Sequence, residues 1–358
     1  MRRWWKWWLV VLGVAGLVLG CGLGERPPGP AQPTQTLSVY NWATYIAPQV
    51  LTDFEKKFNV RIKYDTFDSP DTLYAKLKPG NPGYDVIFPS DYMVNRMIQE
   101  QMLIPLALDK LPNRVHLGKR FQNLPYDPGG RYSVPYLWGT QGIGYNRRQT
   151  GKVIDSWQAM FDPQYRVAWQ EESRATLGAV LIALGLNPNT TDPAEINRAR
   201  DWLIQHRGNV VAFAPDTGEE LLNQGEVTLA FENSGDVFQV MAQNPDIAYA
   251  IPKEGAILWV DAMAIPKGAP HVELAHAFIN YLLDPEVAAQ IANYTHYATP
   301  NQTAIDRRLI QVKDLQNPGI YPPPDVLNRL RVLENLPPAA LQRYEAAWNE
   351  IKLRVGRG

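Results

Sequence analysis

The stretch Ala256–Pro266 reads AILWVDAMAIP. Small and branched apolar residues run without a turn-former until Pro266, which predicts a β-strand. Side chains alternate across a strand, so Trp259 and Asp261 share one face and Val260 takes the other. A carboxylate beside an indole is poor core material, because a buried unpaired charge is costly. Such a strand belongs where one face meets something other than core.

Working outward from it, strands and helices alternate from Leu37. LSVYNW (37–42) and VRIKYDTF (60–67) read as strands, and YDVIFPS (84–90) as a buried strand. Helical apolar spacing marks APQVLTDFEKKFN (47–59), SPDTLYAKLK (69–78) behind a Ser/Asp cap, and DYMVNRMIQEQ (91–101). YSVPYLWGTQGIGYNRR (132–148) breaks this rhythm as a long, Gly-interrupted extended run. Helices resume at 154–161, 173–186 and 191–206; strands follow at 227–235 and 247–252; helices close the chain at 271–284, 285–295 and 338–354. Repeated strand–helix order implies α/β sheets with crossover helices. Two α/β lobes are expected, the chain crossing between them near residues 138–144 and 256–262. Ligands of open α/β sheets bind beyond the carboxyl ends of the strands, and a cleft between two lobes is a natural small-molecule site. The opening strand then crosses that cleft.

The first residues do not belong to this pattern. MRRWWKWWLVVLGVAGLVLGCG has a cationic start, an apolar run and small residues before Cys21, the only cysteine of 358 residues. It reads as a secretory leader, with an uncleaved membrane anchor as the alternative. LVLGC resembles the lipobox of bacterial lipoproteins, which implies lipidation at Cys21. Residues 22–36 read as a flexible Gly/Pro/Gln-rich leash. With Arg2, Arg3 and Lys6 set aside in the leader, 32 basic and 36 acidic side chains remain, a net charge of −4. That mild acidity argues against a nucleic-acid binder.

Little points to catalysis. His271 and His276 are five residues apart, off one helical face, and the other histidines are isolated. No phosphate loop, dinucleotide fingerprint or nucleophile elbow occurs. The serine of NSGD (233–236) has no evident base beside it. No catalytic residue, metal or cofactor is expected. Aromatics instead recur beside acids or small polar residues at strand ends: Trp42 and Tyr45; Ser90, Asp91 and Tyr92; Glu171 and Glu172; Trp259 and Asp261; Tyr297. Each aromatic taken singly suits core packing, and the two glutamates suit a helix N-terminus. Their recurrence where an α/β cleft binds favours a ligand site.

YNWATYI, SPDTLYAKLK, YDVIFPSDYMV, YSVPYLWGTQGIGYN, NTTDPAEI, PKEGAILWVDAMAIP, NYLLDPEVAAQIA and YATPN together resemble the spermidine/putrescine-binding proteins of bacterial ABC importers, from Leu37 to the C-terminus. The resemblance implies a type II periplasmic-binding-protein fold: α/β, two-lobed, each lobe a mixed sheet flanked by helices, joined by hinge strands. Residues 37–138 and 262–306 are expected in lobe 1, and 139–261 and 307–358 in lobe 2. It further implies that Trp42, Tyr45, Ser90, Tyr92, Trp259, Asp261 and Tyr297 lie at the site, that Glu172 holds an amine, and that Glu334 stands at a polar ligand position; Asp91 and Glu334 are extra acids expected near the site. Implied partners are a polyamine of the putrescine or spermidine class, permease subunits with a cytoplasmic ATPase, and the membrane through the lipid. The location implied is the periplasm or the outer face of the cytoplasmic membrane. Three residues depart from the pattern. Ala43 replaces a hydroxyl residue, Ala175 stands where spermidine binders have a second acid, and Asn233 replaces an aromatic. The choice of amine is therefore open, as are another organic cation, an amino acid or a sugar as cargo, a sensing role, and a secreted carbohydrate-active enzyme.

Overall fold

A computed structural model describes residues 35–355. The leader, Cys21 and nearly all of the leash lie outside the described residues. The strands are β1 (Thr36–Trp42), β2 (Arg61–Phe67), β3 (Val86–Ile87), β4 (Ser133–Asn146), β5 (Val167–Gln170), β6 (Val210–Ala214), β7 (Leu229–Asn233), β8 (Ile247–Ala250), β9 (Ile257–Ala264) and β10 (Arg331–Val332). β1 already begins at Thr36, inside the expected leash.

The stretch that opened the reading is β9, and its pairing organises the molecule. It runs antiparallel to β4, with Ser133 opposite Ala264 and Gln141 opposite Ile257. At its carboxyl end it meets β3, which with the parallel pair β1–β2 forms one strand group. β4 continues past β9 to pair β7 and β8, and β7 leads to the parallel pair β5–β6, the second group. The sheet order is thus β2-β1-β3-β9-β4-β7-β5-β6. Two long strands, β4 and β9, carry the chain between the groups. Parallel pairs need crossover helices, and the helices Pro48–Phe58, Pro70–Leu77 and Ser173–Ala183 supply them.

Local chemistry explains the helix starts. Ser69 accepts from Thr72 N at the head of Pro70–Leu77, and Asp192 from Ala194 N at the head of Pro193–Gln205. One core gathers Val39, Val50, Phe54, Val86, Met263, Phe278 and Ile291 behind the first group. Leu309, Ile310 and Leu315 pack there too. The chain therefore stays with the first group beyond residue 306, where the sequence reading moved it to the second. A larger core joins Trp157, Trp169, Leu203, Phe231 and Tyr344, with the final helix Pro338–Val355 lying on Pro193–Gln205.

Three readings change. YDVIFPS yields only the two-residue β3, because the chain turns early into the helix Asp91–Gln99. Residues 154–161 form a short 3-10 turn, Trp157–Phe161, which buries Trp157 completely. β5, β6 and the helix Gly218–Gln224 were not anticipated.

Candidate functional site

A cleft lies where β9 passes between the two strand groups, with about 740 Å³ of atom-free space counting its open mouth. Trp259 and Asp261 both line it, 9% and 5% exposed. Val260 points away into a cluster with Trp138 and Phe121, as alternation requires. Among the expected residues, Trp42, Tyr45, Ser90, Asp91, Tyr92, Glu172 and Tyr297 also line the cleft.

Each is delivered by a strand end or a turn. Trp42 closes β1, and its Nε1 donates to Phe88 O at 3.0 Å. Tyr45, Trp259 and Tyr297 form one aromatic wall, with Tyr45–Tyr297 ring centres 5.3 Å apart and Trp259–Tyr297 5.1 Å. That wall needs glycines behind it. A Cβ at Gly139 would fall 2.7 Å from Trp259, and one at Gly235 would fall 2.5 Å from the Tyr297 ring. Ser90 precedes the helix Asp91–Gln99 without capping it, which leaves its hydroxyl to the cleft.

The acids divide by what holds them. Asp91 accepts from Tyr92 N at 2.7 Å and Val260 N at 3.2 Å, so it pins β9 to the neighbouring helix as well as facing the cleft. Burial pushes it up to about 7 against those two N–H groups. Glu172 accepts from the Tyr92 hydroxyl at 3.0 Å and leaves its helix uncapped. Burial, then the charge of Asp71, pushes it up to about 7. Asp261 is driven far above the ordinary carboxylate range by burial, helped by the charges of Asp91, Asp216 and Glu172. The Tyr45 hydroxyl stands close enough to ease that charge but outside hydrogen-bond geometry.

Two expectations resolve differently. Glu334 is exposed and does not line the cleft; its neighbour Leu333 does, because adjacent residues of this extended segment face opposite ways. Glu171 reaches the cleft rim but pairs with Lys352 at 3.3 Å, which leaves Glu172 the freer acid. Ala175 is fully buried in the helix Ser173–Ala183.

Sequence reading missed Asp68, Gln141, Gln170, Asp216 and Asp236, which line the cleft as well. Gln141 Nε2 donates to Gln170 Oε1 at 2.8 Å, and Gln170 Nε2 to Glu232 Oε1 at 2.9 Å. Asn233 Nδ2 donates to Asp216 at 3.0 Å, and the Tyr297 hydroxyl to Asp236 at 2.6 Å. Seven carboxylates therefore line the cleft (Asp68, Asp91, Glu171, Glu172, Asp216, Asp236, Asp261), and among the described residues no Lys, Arg or His lines it. A site so charged and walled by aromatics is built for a cation with an apolar body.

One carboxylate oxygen each from Asp216, Glu232 and Asp236 come within 4.8 Å of one another. Glu232 accepts from Gly218 N, Asn233 N and Gln170 Nε2. Both its oxygens are thus engaged, and the group reads as a charge cluster rather than a coordination sphere.

Comparison with known proteins agrees with this geometry. The profile of the family described as bacterial extracellular solute-binding protein matches residues 49–319. The chain belongs to that family. This solute-binding protein is 35% identical to the spermidine/putrescine-binding periplasmic protein of Escherichia coli K12, over 98% of this chain and 99% of that one. It is 33% identical to the putrescine-binding periplasmic protein SpuD of Pseudomonas aeruginosa, over 96% and 97%. Among solved structures, a putative spermidine/putrescine ABC transporter from Listeria monocytogenes superposes with a TM-score of 0.85 at 39% identity, covering 89% of this chain and 99% of that one. The two-lobed periplasmic-binding-protein fold expected from sequence is therefore the fold found.

Proposed function

We propose that this chain captures a polyamine of the putrescine or spermidine class in the cleft and presents it to the permease of an ABC importer. The observation that carries the reading is the lining itself, five aromatics and seven carboxylates without a basic side chain. The relatives' names support it. An ammonium group leaving water needs charge-assisted hydrogen bonds, each contributing about 1.5–3 kcal/mol net. Against an indole or phenol face it gains roughly 0.5–2 kcal/mol more. Each methylene buried between aromatic walls adds about 0.8 kcal/mol. Asp261 is the central anchor, Glu172 holds one end of the ligand, and Ser90 offers a hydroxyl to a terminal amine.

The acids come from both strand groups, so a ligand bridging them favours the closed arrangement, and closure is what a permease can sense. We assign one lobe to β1–β3 with the segment through Leu315, and the other to β5–β8 with the final helix. β4 and β9 act as the hinge. The protein is a binding component without catalysis of its own. It acts on the periplasmic side or the outer face of the cytoplasmic membrane, held by lipid at Cys21.

Calorimetry with putrescine, cadaverine, spermidine and spermine tests the reading, with arginine, glutamate and glucose alongside. Submillimolar binding of at least one polyamine is expected. Absence of heat with every amine refutes the function. An amino acid as cargo is disfavoured by one observation: its carboxylate would find no cationic partner among the lining residues.

A further inference from the structure

At one side of the cleft the acids crowd more closely than ligand contact alone requires. Asp216 comes from the turn after β6, where its φ of 49° is unusual for a residue other than glycine. Glu232 comes from β7, and Asp236 from the first turn of the helix Ser234–Met241. Their three oxygens lie within 4.8 Å of one another. Glu219, on the helix Gly218–Gln224, acts on the same group, and its buried Oε2 has no hydrogen-bond partner. Asp68 adds its charge from the turn after β2.

Glu220 acts on Glu219, and Glu172 and Asp261 share charge with Asp216, so the further acids only add to the repulsion; the hydrogen-bond donors to the cluster are all neutral. Asn233 Nδ2 donates to Asp216; the Tyr297 hydroxyl, the Thr44 hydroxyl at 3.5 Å and Gln239 Nε2 at 3.3 Å donate to Asp236. Gly218 N, Asn233 N and Gln170 Nε2 donate to Glu232. The approach of Glu232 is close enough that a Cβ on Gly218 would meet its Oε2 at 2.5 Å. No Lys, Arg or His pairs with any of the four acids among the described residues.

Carboxylates packed this closely without a counter-charge do not all ionise together. Burial first and mutual repulsion second push Asp216, Glu232 and Asp236 upward, so the cluster retains protons near neutral pH. Asp216 and Asp236 face the cleft, and Glu232 stands behind them.

We propose that Asp216, Glu232 and Asp236 form a proton-exchanging pole of the cleft, and that the second ammonium group of a ligand seats beside Asp216 and Asp236 and displaces a proton held there. Asp216 is then a specificity-determining residue. It makes this chain select ligands with two separated cationic groups over monoamines, and it links capture to proton release. Amines of this kind titrate near 10 and arrive fully protonated, so a released proton comes from the protein. The inference rests on the polyamine reading and deepens it.

The test is calorimetry at pH 7 with putrescine and butylamine, in phosphate and in Tris, buffers of very different ionisation heat. Wild-type protein is expected to release on the order of one proton more per putrescine than per butylamine, whose single ammonium group meets only the acids around Asp261. Asp216→Asn is expected to lower that release by at least about half and to narrow the putrescine-over-butylamine preference roughly tenfold. Asp236→Asn provides the same readout if Asp216→Asn misfolds. Tight putrescine binding with no more proton release than butylamine gives, or with buffer-independent heat, overturns the proposal while leaving the polyamine reading intact. Absence of binding by putrescine and by spermidine overturns the polyamine reading instead. Proton release triggered by calcium chloride but not by putrescine makes the cluster a metal site and also overturns the proposal.

Discussion

Replacing Asp261 by asparagine separates what this carboxylate does for the ligand from what it costs the fold. Asp261 is 5% exposed on β9, its backbone is bridged to Ser90, and among the described residues no basic side chain lines the cleft around it. Asparagine keeps the volume and the backbone pairing and removes only the charge. A charge-assisted hydrogen bond contributes about 1.5–3 kcal/mol, and stripping one partner from a desolvated pair costs roughly 2–5 kcal/mol. The overlap of those ranges, about 2–3 kcal/mol, corresponds to a 30- to 150-fold weaker Kd for polyamine.

Stability moves the other way. Burial raises the Asp261 carboxyl above its unfolded value near 4. A group raised in this way contributes its stability below the unfolded value and loses it as pH rises through the folded one. Free of ligand, the Asp261→Asn protein should therefore melt above wild type at pH 8, and the two should converge toward pH 4. Isothermal calorimetry reads the first effect and scanning calorimetry the second. A Kd within threefold of wild type refutes the anchor role. A ligand-free variant less stable than wild type at pH 8 refutes the account of its burial.

Other outcomes follow from the same geometry. Glu172→Gln should weaken spermidine binding about tenfold, a single charge-assisted bond, whereas Glu334→Gln, outside the cleft, should leave the titration unchanged. Because burial pushes Asp91 and Glu172 up to about 7, binding a cation demands their ionisation. The rise in melting temperature given by saturating spermidine should therefore grow from pH 5.5 to pH 8, and a flat profile would count against the shifts. Independently of that geometry, the lipid anchor proposed at Cys21 predicts that Cys21→Ser abolishes incorporation of labelled fatty acid.

The opening strand shows how far the sequence carried. Period-2 alternation alone put Trp259 and Asp261 on one side and Val260 on the other, and that is how β9 packs. Trp42 and Ser90 were legible as strand ends and Glu172 as a helix start, because a long helix follows each of them. Asp216 was not, because β6 is short, Val210–Ala214, and the helix after it spans only Gly218–Gln224. Asp236 lay in plain view in NSGD, but that stretch was weighed for a serine nucleophile and not as another strand end. Glu334 failed for a different reason. Likeness of position places a residue to within one or two along the chain, and in an extended segment one residue reverses the facing side.

The burial of so much like charge is itself informative about cargo. Asp91, Glu172, Asp216, Asp236 and Asp261 are all held above the ordinary carboxylate range by burial. At neutral pH each such acid makes the ligand-free fold less stable than a neutral isostere would. Hydrogen bonding alone does not require their charge, since a neutral amide could accept from Tyr92 N, the Tyr92 hydroxyl or the Tyr297 hydroxyl in their place. What offsets the penalty is a ligand carrying more than one positive charge, and a neutral sugar or an anion cannot supply it. Asp91 and Asp261 sit with the first strand group, and Glu172, Asp216 and Asp236 with the second. On the hinge proposed for β4 and β9, the same cation that relieves the repulsion would draw the two groups together. Selectivity and closure come from one set of charges, and neutralising any of them should weaken both.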